Sequence, residues 1–307
     1  MIVASSAASG ALVRRPAATR VAQRFASVTV VLATFLLGLP ASASAAAAEA
    51  QALNARYAEL RPALSQSPFQ RPLVLQAGTS DSAPQGDVYA LMDQPFPAVA
   101  AALRQPASWC AILLLQTNVK RCSPEGDGAE PRLAVRIARK YTDSAEEAHG
   151  VVFAYRAQAP QPGYLRVELA ADEGPVGTRH YRLQFEAIPA DAGRVFVHLS
   201  YAYETGLAAR LATRAYLASA GRDKIGFSVS GTDASGRPIR VRGIQGVAER
   251  NTMRYFLAIE AFLASPSDRL EERLRRFHAS LERYPAQLHE TDLDEYLAMK
   301  LGAAPGQ

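Results

Sequence analysis

The chain has 307 residues, of which 49% are hydrophobic and 21% are charged, and this composition excludes a disordered or collagen-like protein. The formal net charge is +5, but residues 1–45 contain four arginines and no acidic residue, so residues 46–307 carry a net charge of only +1. Because that charge is nearly balanced, we expect no nucleic-acid partner.

The first 45 residues have the pattern of a secretory signal peptide. Arginines precede an uncharged apolar run over 25–39, which is followed by Pro40 and by small residues up to Ala45. The apolar run is shorter than the roughly 20 residues that a membrane-spanning helix needs. We therefore predict cleavage near Ala45 and a periplasmic or secreted protein, with an uncleaved N-terminal anchor as the alternative.

The chain has two cysteines, Cys110 and Cys122. In an oxidising compartment such a pair predicts one disulfide, and two buried free thiols are the alternative. No histidine or further cysteine stands near the pair to complete a tetrahedral zinc site. We expect no metal and no cofactor.

Residues 46–85 are predicted to form an N-terminal arm or linker. Apolar residues at helical spacing, from Leu53 to Leu64, predict a helix. A proline-rich and serine-rich stretch follows, and then a short extended segment over Leu73–Gln76.

The pattern becomes sharper from residue 86. We predict a strand over Asp87–Met92, an amphipathic helix over Phe96–Leu103 and a second short helix after Pro106. Alternating apolar residues and glycine-containing turns then predict an antiparallel meander with one buried face. Its candidate strands are Thr117–Cys122, Leu133–Tyr141, Val151–Ala157, Tyr164–Ala170, Arg179–Ile188 and Arg194–Tyr203.

The last third is predicted to be mostly helical. A helix over Leu207–Ser219 precedes a hairpin made of Lys224–Ser230 and Pro238–Gly243. The strongest helix covers Val247–Ala264, where a wide apolar face requires a large partner surface. Two charged helices, Ser267–Glu282 and Asp292–Lys300, are expected to lie at the periphery.

Three local motifs open the predicted domain: DVYA at Asp87–Ala90, PFPAV at Pro95–Val99 and PASW at Pro106–Trp109. They resemble the opening of START-like, or helix-grip, domains of the SRPBCC superfamily. The superfamily includes steroidogenic-type lipid-transfer domains, the major birch pollen allergen family and polyketide aromatase/cyclases. The WC pair ending at Cys110, the segment Gly174–Thr178 and the segment Glu249–Ala258 are similar to an uncharacterised group of exported proteobacterial proteins.

The resemblance implies an α+β domain over residues 86–264, in which a curved antiparallel sheet grips the long C-terminal helix. An apolar cavity would lie between the sheet and that helix. Residues 207–243 form an insertion relative to the plain fold, and residues 265–307 form a C-terminal helical extension. The insertion bears on the size and the entrance of any cavity.

The predicted function is an exported binding or transport protein for a lipid or another hydrophobic small molecule, with transient membrane contact as a further expectation. Arg250 and Arg254 share a helix face and would suit a carboxylate or phosphate headgroup, although a salt-bridge network with Glu249 is the alternative. No catalytic motif is recognisable, so no catalytic residue is assigned. The candidate ligand contacts are Tyr181, Phe185, Tyr201, Tyr203, Arg250, Arg254, Phe256, Ile259 and Phe262.

Two other functions stay open on the sequence. The first is an enzyme acting on such a ligand, with Glu249 or Tyr201 in acid-base chemistry and Arg250 stabilising an anion. The second is a structural or interaction protein whose core is filled by the same aromatic residues. His198 alternates with the inward residues of its strand and is expected on the opposite face of the sheet.

Overall fold

The computed structural model describes residues 41–80, 82–126, 130–139, 142–158, 162–191, 193–219, 221–264, 267 and 269–302. Most of the predicted signal peptide lies outside these residues, and its cleavage stays a prediction. No helix in the described part of the chain is both long enough and apolar enough to cross a membrane.

An antiparallel sheet of eight strands forms the centre of the fold, in the order β1-β2-β8-β7-β6-β5-β4-β3. The predicted meander is confirmed, because β3 to β8 each pair with the next strand along the chain. The strands are β1 (Leu73–Ala77), β2 (Gln85–Met92), β3 (Val119–Glu125), β4 (Arg132–Ile137), β5 (His149–Ala157), β6 (Leu165–Glu173), β7 (Thr178–Pro189) and β8 (Val195–Thr205).

Helices lie on both faces of this sheet, and a small hairpin of β9 (Val229–Thr232) and β10 (Pro238–Arg240) is separate from it. Prolines stand in the first turns of three helices, where their fixed φ favours initiation. The helices are α1 (Ala41–Ser65), α2 (Phe96–Leu103), α3 (Pro106–Leu113), α4 (Leu207–Ala218), α5 (Gly243–Ala264), α6 (Leu270–Leu281), α7 (Pro285–Leu288) and α8 (Leu293–Leu301).

The long helix α5 packs across β1, β2 and β8, and the predicted α+β helix-grip arrangement is confirmed. Gly86 on β2 makes the close approach possible. A Cβ atom at this position would lie 2.2 Å from Oγ1 of Thr252 on α5. Any larger residue would therefore push the helix away from the sheet.

The main hydrophobic core lies between the sheet and α5. Trp109 on α3 is fully buried, and its indole Nε1 donates a hydrogen bond of 2.7 Å to the carbonyl of Leu103. The prediction that the last helices are peripheral is wrong, because Phe277 on α6 and Tyr296 on α8 are also buried in this core. On α6, Glu271, Glu272, Arg275 and Arg276 are exposed on the side away from the core.

The second face of the sheet is partly covered, which corrects the prediction of a single buried face. Helix α1 packs there, and the ring of Tyr57 stacks on Phe196 at 4.6 Å between centroids. Strand β7 therefore buries side chains on both faces near its end. The small second core consists of Leu53, Leu60, Leu64, Tyr164, Ile188 and Phe196.

The inserted hairpin is shorter than predicted, because its first strand begins at Val229 and not at Lys224. The residues before it run close against α5. A Cβ atom on Gly226 would lie 2.5 Å from Oε2 of Glu249, so the chain can pass here only with glycine.

A disulfide joins Cys110 on α3 to Cys122 on β3, as predicted. It closes the loop that contains residues 114–118, between the helix and the strand. That loop forms part of the site described next.

Candidate functional site

A cleft of about 670 Å³ opens beside the middle of α5. It lies between α4, the loop after α3 and the end of β8. Its lining residues are Gln116, Thr117, Asn118, Arg139, Thr142, Tyr201, Tyr216, Lys224, Asn251, Arg254, Tyr255 and Glu290.

Aromatic rings form the inner wall of the cleft. The ring of Tyr201 on β8 lies 4.8 Å from that of Tyr255 on α5 and 5.6 Å from that of Tyr203. Tyr181 on β7 stacks on Tyr203 at 5.3 Å. We call Tyr181, Tyr201, Tyr203 and Tyr255 the tyrosine cluster.

The tyrosine cluster stays protonated at neutral pH. Burial raises the pKa of all four phenols, to about 12 for Tyr203 and well above its ordinary value for Tyr201. The hydroxyl groups are therefore hydrogen-bond donors and not bases. This arrangement disfavours the acid-base role that the enzyme alternative gives to Tyr201.

The rim of the cleft is mainly cationic. Arg139, Lys224 and Arg254 line it, and Glu290 is the acidic residue among the lining side chains. Burial lowers the pKa of Lys224, which indicates a site partly removed from water.

Arg254 is the most constrained of these cations. One of its terminal nitrogens lies 2.6 Å from a carboxylate oxygen of Glu290, whose other oxygen accepts a 2.7 Å hydrogen bond from Thr117. The Nε of Arg254 is buried and has no hydrogen-bond partner among the described residues. A buried donor without a partner is costly, and because this nitrogen is closed off from the cleft, a ligand would reach it only after the Arg254 side chain shifts.

The C-terminal helix α8 holds the loop that forms one edge of the cleft. The ammonium group of Lys300 donates to the carbonyls of Gln116 and Val119, and the hydroxyl of Tyr296 donates to the carbonyl of Leu115. Together with the disulfide, these contacts fix the loop from both sides.

Arg250 and Glu249 lie behind the cleft and are not among its lining residues. Arg250 is buried, and one terminal nitrogen donates a 3.1 Å hydrogen bond to the carbonyl of Ile225. The carboxylate of Glu249 accepts hydrogen bonds from the backbone nitrogens of Phe227 and Ser228. Both side chains anchor the inserted segment to α5, and a ligand contact by Arg250 stays a prediction.

The other predicted contacts lie in the packed core. Phe185 is fully buried with its ring 6.2 Å from Trp109, and Phe256 is fully buried with the guanidinium of Arg71 at 5.4 Å from its ring. Ile259 is fully buried and Phe262 nearly so. None of these four lines the cleft. Their role as ligand contacts stays a prediction.

Of the nine predicted contacts, Tyr201 and Arg254 line the cleft, and Tyr181 and Tyr203 support it from behind. The sequence missed Tyr216, Lys224 and Glu290, which come from the insertion and from the C-terminal extension. Only the fold brings these distant segments together. Tyr255 could have been predicted from the sequence, because it adjoins Arg254 on the strongest predicted helix.

Among the described residues, no group of three or more histidine, cysteine, aspartate or glutamate side chains is placed to hold a metal ion. His198 lies on the sheet face opposite the cleft, where its ring nitrogens are 2.9 Å from carboxylate oxygens of Asp87 and Glu186. Burial opposes a charge on this imidazole, but the two hydrogen bonds outweigh that effect and raise the pKa of His198.

No family model and no curated protein matches this chain. Solved structures with a similar fold include norcoclaurine synthase from Thalictrum flavum, at 11% identity and a TM-score of 0.32, covering 47% of this chain and 77% of that one. The Zhui aromatase/cyclase from Streptomyces sp. R1128 is similar at 11% identity and a TM-score of 0.31, covering 64% of this chain and 94% of that one. A protein from Thermus thermophilus is similar at 12% identity and a TM-score of 0.37, covering 60% of this chain and 100% of that one.

Proposed function

We propose that this protein is an exported binding protein for a small amphiphile that carries an anionic group. The observation that carries the proposal is the cleft itself, which combines an aromatic inner wall with a cationic rim. Its volume of about 670 Å³ lies within the range of small-molecule sites.

The charge of the rim favours an anion. Arg139, Lys224 and Arg254 face one acidic side chain, Glu290, which already pairs with Arg254. Arg250 stands behind the rim and adds a further buried positive charge. A carboxylate or phosphate on the ligand would balance this excess of positive charge.

The inner wall favours an apolar or aromatic body behind that anionic group. Faces of Tyr201 and Tyr255 line the cleft and offer flat apolar contact. Their hydroxyl groups already hydrogen-bond to each other, so the pair brings mainly apolar ring surface to the ligand. An alkyl chain or a ring system would therefore be held against the tyrosine cluster, while its headgroup meets Arg254.

Export is part of the proposal and rests on the signal-peptide pattern of residues 1–45. The disulfide between Cys110 and Cys122 supports it, since such bonds persist in oxidising compartments. We also propose that the chain belongs with the exported proteobacterial proteins that share its WC, GPxGT and ERNxMRYxLA segments.

The binding proposal is tested by calorimetric titration with dodecanoate and with dodecanol, which have the same chain and differ in charge. We expect the acid to bind more tightly than the alcohol. Arg254→Gln should weaken binding of the acid by about tenfold or more, because a charge-assisted pair is lost, and should change binding of the alcohol much less.

Arg156→Gln is the matched control, because Arg156 is an exposed arginine on β5 that does not line the cleft. This variant should bind both ligands as the wild type does. Absence of saturable binding of either ligand, or an equal loss for acid and alcohol in Arg254→Gln, would show that the cleft is not an anion-selective site.

A further inference from the structure

The inserted segment, residues 207–243, exposes an unusual amount of apolar surface. Leu207 is 67% exposed, Leu211 is 57% exposed and Val229 is 53% exposed. Within the described part of the chain, eight large apolar side chains are exposed, and five of them lie in this segment. The other two of these five are Tyr216 and Ile239.

Helix α4 turns an apolar stripe toward solvent. Ala209 is buried, and Thr213 and Leu217 are half-buried, so these three residues mark the side that packs on the protein. Leu207, Leu211 and Ala215 recur at four-residue spacing on the other side and are exposed. A surface helix in a soluble protein normally has the reverse arrangement, with its polar residues outward.

Other exposed apolar side chains lie on the turn before β7 and on the hairpin. Val176, in the turn before β7, is 51% exposed, and α4 packs against that turn. On the hairpin, Ile239 pairs with Gly231, two residues from Val229. On α4 itself, Leu207 and Leu211 lie one turn apart, and adjoining exposed apolar residues mark an interaction site more often than single ones do.

The same segment concentrates positive charge. Residues 207–243 contain seven arginines and lysines and two aspartates, which gives a net charge of +5. Both aspartates already pair with arginines of the segment, Asp223 with Arg222 and Asp233 with Arg237. The near-neutral total for residues 46–307 thus includes an inserted segment that is basic.

We propose that the inserted segment docks this protein on an anionic lipid bilayer, with α4 lying in the plane of the interface. A short helix with an apolar face and basic residues beside it is the arrangement that binds such a surface. The flanking residues on α4 are Arg210 and Arg214, and the helix itself has no acidic residue. The charge complements phosphate headgroups, and the exposed leucines enter the boundary between headgroups and acyl chains.

This docking does not depend on the proposed ligand, but it has a consequence for the cleft. Tyr216 and Lys224 belong both to the inserted segment and to the lining of the cleft. A docked protein would therefore hold the mouth of its cleft close to the lipid surface.

Flotation of the full mature chain with vesicles tests the proposal. We expect the wild type to float with vesicles of phosphatidylglycerol and phosphatidylcholine at low ionic strength, and to float much less at high salt or with phosphatidylcholine alone. Leu211→Asp should weaken vesicle binding by about tenfold or more, because a buried apolar contact becomes a charge. Arg214→Gln combined with Arg222→Gln should also weaken it by about tenfold.

Leu301→Asp is the control for the leucine variant, because Leu301 is 44% exposed at the end of α8, far along the chain from the insertion. It should float as the wild type does, and all variants should keep the thermal midpoint of the wild type within a few degrees. Leu211→Asp should still bind dodecanoate, and Arg254→Gln should still float. These two results separate docking from ligand binding.

The proposal is wrong if the wild type fails to float with anionic vesicles at low salt, or if Leu301→Asp loses as much binding as Leu211→Asp. A wild type that stays off the vesicles but sediments as a dimer, which Leu211→Asp converts to monomer, would show that a second copy covers the stripe. That outcome would equally overturn the lipid proposal.

Discussion

Two consecutive stretches of α5 differ in what borders them, although both bury side chains in the core, Met253 in the first and Phe256 in the second. We call residues 251–255 the cleft stretch and residues 256–263 the packed stretch. Tyr255 lines the cleft, whereas its neighbour Phe256 is fully buried in the core. An apolar helix face that grips a sheet therefore does not by itself create a cavity, and the open space depends on what covers each stretch.

The two stretches of α5 are bordered by different parts of the chain. The packed stretch meets α6, whose Leu274 and Phe277 are buried in the core, and the guanidinium of Arg273 lies 5.6 Å from the ring of Phe262. The cleft stretch meets the inserted segment, which contributes Tyr216 and Lys224 without filling the space. The insertion thus borders an open cleft, to which the C-terminal extension adds Glu290, whereas α6 of that extension buries one side of the packed stretch.

Phe256→Ala should have the largest effect on stability, because it removes a buried ring from the packed stretch. Truncating a fully buried phenylalanine leaves a cavity, and we expect the free energy of unfolding to fall by roughly 3 to 5 kcal/mol. Urea unfolding followed by circular dichroism measures the change. A loss below about 1 kcal/mol would mean that Phe256 borders open space and that the packed stretch is not close-packed.

Removing the disulfide should have the next largest effect and would loosen one edge of the cleft. The bond spans a sequence separation of 12 residues, and replacing both cysteines by serine should reduce stability by about 3 kcal/mol. Because the bond closes the loop that carries Gln116 to Asn118, dodecanoate binding should weaken as well. Unchanged binding in a folded double variant would show that this loop needs no such support.

The stability of the cleft edge should depend on pH through Lys300. Burial, with Lys120 nearby, lowers the pKa of Lys300 to about 7, whereas an unfolded lysine keeps its proton to about pH 10. Between these values the unfolded state binds more protons, so the free energy of unfolding should rise with pH, by at most about 1.4 kcal/mol per unit.

His198, on the other face of the sheet, has the opposite effect on the pH dependence of stability. Its pKa is raised in the folded protein, so the stability that its protonation provides is lost as the pH rises through that pKa.

Comparing the wild type with Lys300→Met isolates the lysine contribution. Denaturant unfolding at several pH values between about 7 and 10 should show a steeper rise for the wild type than for the variant. Equal slopes would contradict a neutral lysine in the folded protein.

Sequence reasoning succeeded where periodicity and local signals agree. The bounds of α2 and the strand pairings of the meander follow from proline placement, alternation and glycine turns. The disulfide was predicted from the two cysteines together with the export pattern. In the site, Tyr201 and Arg254 are the two predicted ligand contacts that line the cleft, and both lie in strongly periodic elements; their contact with a ligand stays a prediction.

The remaining features depend on tertiary contacts that no local pattern carries. Glu290 reaches the cleft only because α6, α7 and α8 fold back onto α5, and its sequence neighbours have no special pattern. His198 contacts Asp87 and Glu186 only because β2, β8 and β7 pair in the observed register. The positive charge of the insertion was also missed, because acidic residues in other parts of the chain cancel it in the total net charge.

The division of α5 into two stretches is tested most directly by solution NMR of protein with labelled tyrosine and phenylalanine rings, titrated with dodecanoate. Ring signals of Tyr201, Tyr216 and Tyr255 should shift in a saturable manner, while those of Phe185, Phe256 and Phe262 should stay in place. Saturable shifts of the phenylalanine rings with unmoved tyrosines would place the ligand inside the packed stretch and would contradict the cleft as the binding site.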